Sequence, residues 1–311
     1  MSAGRRDFLK NSGVLTTGVL TGFPFDFLES KPVEMNLTAD FQVRFHATNW
    51  GFPGSMSEFC EKAKREGYDG IEVWAPREAG PRDELISLIR EHGLDLGLLV
   101  GVGDRDPAAH ARNFLEYLRE ASQLKPVYIN CHSGRDYFSL DQNRPILEGS
   151  FEVEAATGIP VYHETHRARC LYAAPIAKQY LEAFPKLRLT LDISHWTNVH
   201  ESMLEGQEAT VQLALGRTHH IHSRIGHQEG PQVNDPRAPE WAEAVNAHLH
   251  WWDQVILTRS GEGKTSFTVL TEFGPPNYLP SLPYTRMPLA DQWEINLYMM
   301  NLLRKRWQSQ K

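Results

Sequence analysis

Four short polar clusters in this chain carry residue types that bind hard cations and move protons. They are His163-Glu164-Thr165-His166, Leu191-Asp192-Ile193-Ser194-His195, His220-Ile221-His222 followed by Arg224, and Thr271-Glu272-Phe273-Gly274. Each closes a β-like run: 159–162, 187–191, 217–221 and 267–270. Glu164, Asp192 and His222 stand 28 and 30 residues apart, close to one strand, one helix and two loops. Three carboxylates and one imidazole, one per repeating unit, describe a single divalent-metal site made of Glu164, Asp192, His222 and Glu272. An oxygen-rich set of this kind suits Mn²⁺ first, with Mg²⁺, Co²⁺ or Zn²⁺ also compatible. A Cys-rich or three-His set would have selected zinc. Buried carboxylates in such numbers repel one another and take up protons unless a cation lies between them.

Each of these residues also has a purely structural use. Glu164 can pair with Arg167 or Arg169, and Asp192 can cap the turn before His195. His222 can be a core histidine, and Glu272 can accept from backbone amides. Their joint occurrence at four successive strand ends favours the site over four coincidences.

Convergence on one point requires all four strand ends to lie on one side of a sheet. From Gln42 onward, short apolar or β-branched runs alternate with longer amphipathic segments. Strands are expected at 43–46, 70–74, 94–100, 127–131, 160–164, 188–192, 219–223 and 268–272. Helices are expected at 57–66, 82–92, 107–122, 140–156, 173–184, 201–215, 240–257 and 289–307. Eight strands alternating with eight helices predict an α/β fold, a (β/α)8 TIM barrel, as a single domain over residues 36–311. An open doubly wound sheet has roughly five or six such strands. The 311 residues accommodate a barrel of roughly 250 residues with extensions. Two Pro-rich loops, 226–239 and 274–288, leave the C-terminal ends of strands seven and eight, and they read as a rigid substrate cover.

Composition bounds the function. Hydrophobic content of 41% and charged content of 23% belong to an ordinary globular protein. A net charge of −7 does not favour a polyanion partner, so a nucleic-acid partner is not expected. Cys60, Cys131 and Cys170 are odd in number and lack CxxC spacing, and they read as buried structural thiols. At the N-terminus, Gly4-Arg5-Arg6-Asp7-Phe8-Leu9-Lys10 resembles the twin-arginine export motif. The apolar stretch 13–25 is too short to span a bilayer, which takes roughly 20 residues, and it suits a signal-peptide core. Residues 1–35 are therefore expected to be a signal peptide and linker, read by the twin-arginine export machinery and leading to the periplasm.

On these clusters the chain resembles the xylose isomerase-like TIM-barrel superfamily, the sugar phosphate isomerases/epimerases, over about residues 42–309. The family pattern is a Glu after strand five, Asp-x-x-His after strand six, His-x-His on strand seven and Glu after strand eight. Glu164, Asp192-Ile193-Ser194-His195, His220-Ile221-His222 and Glu272 match it. The resemblance implies the same four metal ligands, with His195 orienting substrate beside the metal. It places Arg224 and His227 where relatives hold a basic substrate-binding group, although the spacing from His222 differs from the epimerase pattern. It also implies that Glu164, Glu272 and His195 are the catalytic residues, the two glutamates exchanging protons with substrate on opposite faces of a sugar.

The expected function is thus a metal-dependent sugar isomerase or epimerase that removes a proton next to a carbonyl through a metal-stabilised enediolate. A lyase or hydratase on a keto-sugar or 3-keto-glycoside would use the same site. An endonuclease IV-like nuclease and a non-catalytic sugar-binding protein are further readings, disfavoured by the charge and by the intact ligand set. The substrate is a small carbohydrate, and a homodimer is compatible with the sequence. Candidate substrate-binding positions are His46 at the end of strand one, Trp50 in the next loop, Glu72 on strand two, His132 after strand four, and His166 two residues beyond Glu164.

Overall fold

The computed structural model describes Met35 and residues 37–307. The expected signal peptide lies outside the described residues, apart from Met35. The strands are β1 (Gln42–Thr48), β2 (Gly70–Trp74), β3 (Asp95–Gly101), β4 (Tyr128–His132), β5 (Val161–Glu164), β6 (Leu189–Leu191), β7 (Thr218–His222) and β8 (Ser266–Thr271). All pair in parallel with their sequence neighbours, and β1 pairs with β8, so the sheet closes as a TIM barrel in a single domain.

The helices are α1 (Met56–Arg65), α2 (Ala79–His92), α3 (Pro107–Ser122), α4 (Leu140–Thr157), α5 (Ala174–Ala183), α6 (Ser194–Val199), α7 (Glu208–Leu215), α8 (Ala242–Gly261) and α9 (Gln292–Trp307). Their ends follow local chemistry. Ser55 and Ser139 form capping boxes with Glu58 and Gln142, satisfying the first free amides of α1 and α4. Gly93 and Gly158 close α2 and α4 in the left-handed conformation. One expected helix is corrected. The segment 201–215 is not continuous: α7 starts at Glu208, and the shorter α6 precedes it. Glu201, Leu204 and Gly206 take positive φ between the two, which a right-handed helix cannot include.

Strand alternation sorts the side chains into two sets. Ile71, Val73, Ile129, Cys131, Val161, Leu189, Leu191, Ile221 and Val269 are buried in the apolar core between sheet and helices. The other phase carries His46, Glu72, Tyr128, Asn130, Glu164, Thr190, His220 and His222, all buried. Tyr128 of β4 contacts His46 of β1 and His220 of β7. These strands are not neighbours, so their side chains meet only through the barrel interior. The interior is therefore a polar, hydrogen-bonded column and not the usual stack of branched aliphatic residues. All three cysteines are buried and unpaired, as structural thiols. Among the described residues, no helix is long and apolar enough to cross a membrane.

Candidate active site and metal centre

The four expected ligands sit at successive strand ends. Glu164 and His222 are the last residues of β5 and β7, and Asp192 and Glu272 directly follow β6 and β8. One ligand atom from each falls within 4.8 Å of every other. The set is almost wholly buried; only Glu272 reaches the cavity edge, at 13% side-chain exposure.

The donor chemistry fits a divalent cation. His222 turns Nδ1 toward the set, 2.8 Å from Glu272 Oε2 and 3.8 Å from Glu164 Oε2. Its Nε2 lies 3.2 Å from Glu72 Oε1 on the far side of the ring. A carboxylate behind the imidazole is the usual arrangement for orienting a metal-ligating histidine. Glu164 Oε2 accepts from Asn130 Nδ2 at 2.7 Å and lies 3.0 Å from His132 Nε2. Its Oε1 is buried without a partner, an orphaned acceptor inside the ligand set.

Electrostatics point the same way. Burial pushes the Asp192 carboxyl up to about 7; Arg224 opposes the rise, while Glu272 and Glu164 add to it. Burial also disfavours a charge on His222, yet Glu272, Glu72 and Glu164 together hold its imidazolium well above the ordinary histidine range. Three carboxylates thus crowd one positive charge, a role that a bound cation fills with two charges. Arg224 supplies a further compensating charge. It ion-pairs with Asp192, lies 3.7 Å from Glu272 Oε2, and donates from Nε to Ser194 Oγ at 3.1 Å. Its Nη2 is 2.8 Å from His195 Nε2.

Above the ligand set lies a cavity of about 450 Å³, the size of a small-ligand pocket. Its lining brings together Trp50, Glu72, His132, His166, Arg224 and Glu272 of the expected residues. His132 and His166 face each other with ring centroids 4.5 Å apart. Burial, with His132 nearby, keeps His166 well below its ordinary pKa, so this ring is neutral. His195 lies behind His166, with ring centroids 4.1 Å apart, and it reaches the site through Arg224.

Two expected positions fall elsewhere. His46 is buried in the barrel interior against the Tyr128 hydroxyl at 3.1 Å and does not line the cavity. It belongs to the polar column, because the strand-one residue is placed below the rim by its register with Gly70 of β2. His227 packs on Trp241 at 4.7 Å and closes a tight turn with Gly230, also away from the cavity.

Three further residues matter. Asn130 touches Glu72, Glu164 and His222 at 3.3, 2.7 and 3.2 Å. It shares a strand phase with His132, and an amide inside an apolar strand is the signal that marks it. Ser194 donates from its backbone N–H and hydroxyl to Asp192 Oδ1, fixing that carboxylate. Tyr278, in the loop after β8, lines the cavity beneath Arg167 and Arg224, each 4.8 Å from its ring centre. Only the chain's path over the barrel mouth brings it there.

A family model described as xylose isomerase-like TIM barrel matches residues 60–228. No curated protein matches the chain. Among solved structures, the chain is similar to 3-keto-D-glucoside 4-epimerase YcjR from E. coli, with TM-score 0.55 and 16% identity over 85% of this chain and 100% of that one. It is similar to a probable 3-DHS dehydratase, AsbF, involved in petrobactin synthesis in Bacillus anthracis, with TM-score 0.54 and 16% identity over 84% and 98% of the two chains. A D-tagatose 3-epimerase-like protein gives TM-score 0.56 and 13% identity over 85% and 96%. At these identities the likeness is one of fold.

Proposed function

This chain belongs to the xylose isomerase-like TIM-barrel family, and on that premise we propose that it is a metal-dependent sugar isomerase or epimerase. The observation that carries the proposal is the convergence of Glu164, Asp192, His222 and Glu272 beneath a cavity with polar and aromatic walls. These four residues would hold the ion, with Mn²⁺ the best match to the donor set and Mg²⁺, Co²⁺ or Zn²⁺ compatible. A bound divalent ion polarises a sugar carbonyl and its neighbouring hydroxyl and makes the adjacent C–H acidic.

The protein's own residues then handle the proton. Glu164 is anchored through Oε2 by Asn130 and His132, and its carboxylate stands within the ligand set. Glu272 follows β8 whereas Glu164 ends β5, and Glu272 lines the cavity. One carboxylate removes the proton and the other delivers one. Return to the opposite face of the same carbon is epimerisation; return to the adjacent carbon is isomerisation. Arg224, on the cavity wall, pairs with developing negative charge on substrate oxygens. His132 and the neutral His166 ring bind hydroxyls, and Trp50 offers an apolar surface to the sugar ring. Elimination from a keto-glycoside uses the same proton abstraction and is the second reading of this site.

The test is incubation of the Mn²⁺-loaded protein with free ketoses and keto-glycosides in D₂O. Reversible exchange of a carbon-bound hydrogen, lost on chelation, is expected. Product release without reversible exchange would favour elimination, and no reaction with or without metal would refute the proposal. We further propose export through the twin-arginine machinery, supported by the Arg5-Arg6 motif with Phe8-Leu9-Lys10. Replacing both arginines by lysine should trap the precursor in the cytoplasm. A non-phosphorylated sugar is the substrate consistent with that location.

A further inference from the structure

Beside the catalytic cavity lies a second one of about 380 Å³. The two share Thr48, Trp50 and Gly51, so the segment from the end of β1 into the β1–α1 loop borders both. We propose that the second cavity is a subsite for another sugar ring, which makes the substrate a glycoside of at least two rings. This deepens the reading of the site given above and rests on it.

The geometry of the shared segment comes first. Gln292 Nε2 donates to the carbonyls of Trp50 at 2.7 Å and Phe273 at 2.8 Å, tying the β1 loop to the end of β8. Gly51 has φ +85°, and a Cβ there would stand 2.5 Å from Gln292 Oε1 and 2.8 Å from Pro275. This shared loop is therefore held in place, and both cavities are preformed beside it. A molecule seated over the ligand set and longer than one ring has a built space next door.

The lining has the chemistry of a sugar subsite. Phe52 and Trp293 lie with ring centroids 5.8 Å apart and supply apolar faces for ring C–H groups. Trp293 lines the cavity, and its Nε1–H is buried without a hydrogen-bond partner in the protein. Lys62 Nζ sits 4.4 Å from the Trp293 ring centre, and Asp291 lies on the exposed edge. Apolar faces with polar groups at the edges match a pyranose, which has a C–H face and a belt of hydroxyls. A purely aliphatic ligand would leave that N–H unsatisfied.

The experiment compares proton exchange in D₂O for 3-ketoglucose against 3-ketocellobiose, and for D-fructose against maltulose. For at least one pair, the two-ring sugar should be favoured in kcat/KM by about tenfold or more, a factor worth about 1.4 kcal/mol. Ala290→Phe, which fills the second cavity from a partly exposed position, should bring that ratio toward one. Trp293→Phe, which keeps the ring and deletes the N–H, should raise KM for the two-ring sugar severalfold. Equal specificity for one-ring and two-ring sugars would overturn the subsite while leaving the proton chemistry in place. An unchanged ratio in Ala290→Phe would overturn it too. Absence of exchange with every sugar would remove the functional reading and the subsite together.

Discussion

Glu72 Oε1 lies 3.2 Å from Nε2 of His222, on the opposite side of the ring from Glu272. This relationship assigns the two nitrogens different work. If Nδ1 is a metal ligand, the ring proton must reside on Nε2, and Glu72 is its acceptor. Glu72→Gln keeps the shape and an acceptor oxygen but removes the charge. We expect Mn²⁺ affinity, measured by isothermal titration, to fall about 10- to 100-fold. Unchanged affinity would show that Glu72 does not orient the ring.

Glu272 is placed to serve both as ligand and as proton carrier, so Glu272→Gln should damage two separable properties. Turnover should be abolished, and metal binding should weaken. In the unaltered protein, metal at 100 times its Kd should add about 2.7 kcal/mol of stability. At the same concentration the variant should gain clearly less, read as a smaller rise in Tm. Full activity in the variant would remove Glu272 from the mechanism.

Much of this was legible in the sequence, for a physical reason. A barrel repeats one unit, so strand ends recur at near-constant spacing, and polar residues that interrupt apolar runs at that spacing stand out. Glu164, Asp192, His222 and Glu272 were visible in this way, and so was the fold. His46 and His227 were not placed correctly. Strand phase gives the direction of a side chain but not its depth, and His46 lies low in the interior. His227 sits in a loop, where no periodicity applies. Tyr278 is 86 residues beyond Asp192 in sequence, and only the folded loop brings it beneath Arg224. The break between α6 and α7 rests on positive-φ residues such as Glu201 and Leu204, whose side chains do not announce that backbone.

Gly274 and Trp50 show how the cavity wall depends on one missing methyl. A Cβ at Gly274 would stand 2.3 Å from the Trp50 ring, well inside contact distance. Gly274→Ala must therefore displace the indole, which lines the catalytic cavity. We expect a stability loss of about 1–3 kcal/mol by chemical denaturation, as for other overpacked sites. KM should rise more than kcat falls, because the indole contacts substrate without moving a proton. A variant with unaltered KM would exclude Trp50 from substrate binding.

His248 and His163 make the folded state sensitive to acid through rings that are buried neutral. His248 Nδ1 donates to Ala244 O at 2.8 Å, and its Nε2 accepts from Gly226 N–H at 3.2 Å. Ser150 donates its hydroxyl to Leu147 O, so it accepts from His163 Nε2–H at 3.0 Å, and His163 Nδ1 then accepts from Ser133 Oγ at 2.7 Å. A second proton on His248 would set its Nε2–H against the Gly226 N–H, donor against donor. Burial pushes the His248 pKa down to about 4 and, with Arg188 adding to it, that of His163 down to about 3. The unfolded value is 6.5, so between pH 6.5 and 4 the unfolded chain binds more protons than the folded one. The stability these rings contribute is therefore fully present above pH 6.5 and is lost as pH falls toward 4. At about 1.4 kcal/mol per pH unit, the loss from His248 alone is of the order of 3 kcal/mol by pH 4. Urea denaturation of the metal-free protein across this range should show the decline, and His248→Gln, which cannot titrate, should flatten part of it. A variant whose pH slope matches that of the unaltered protein would show that His248 does not carry the effect.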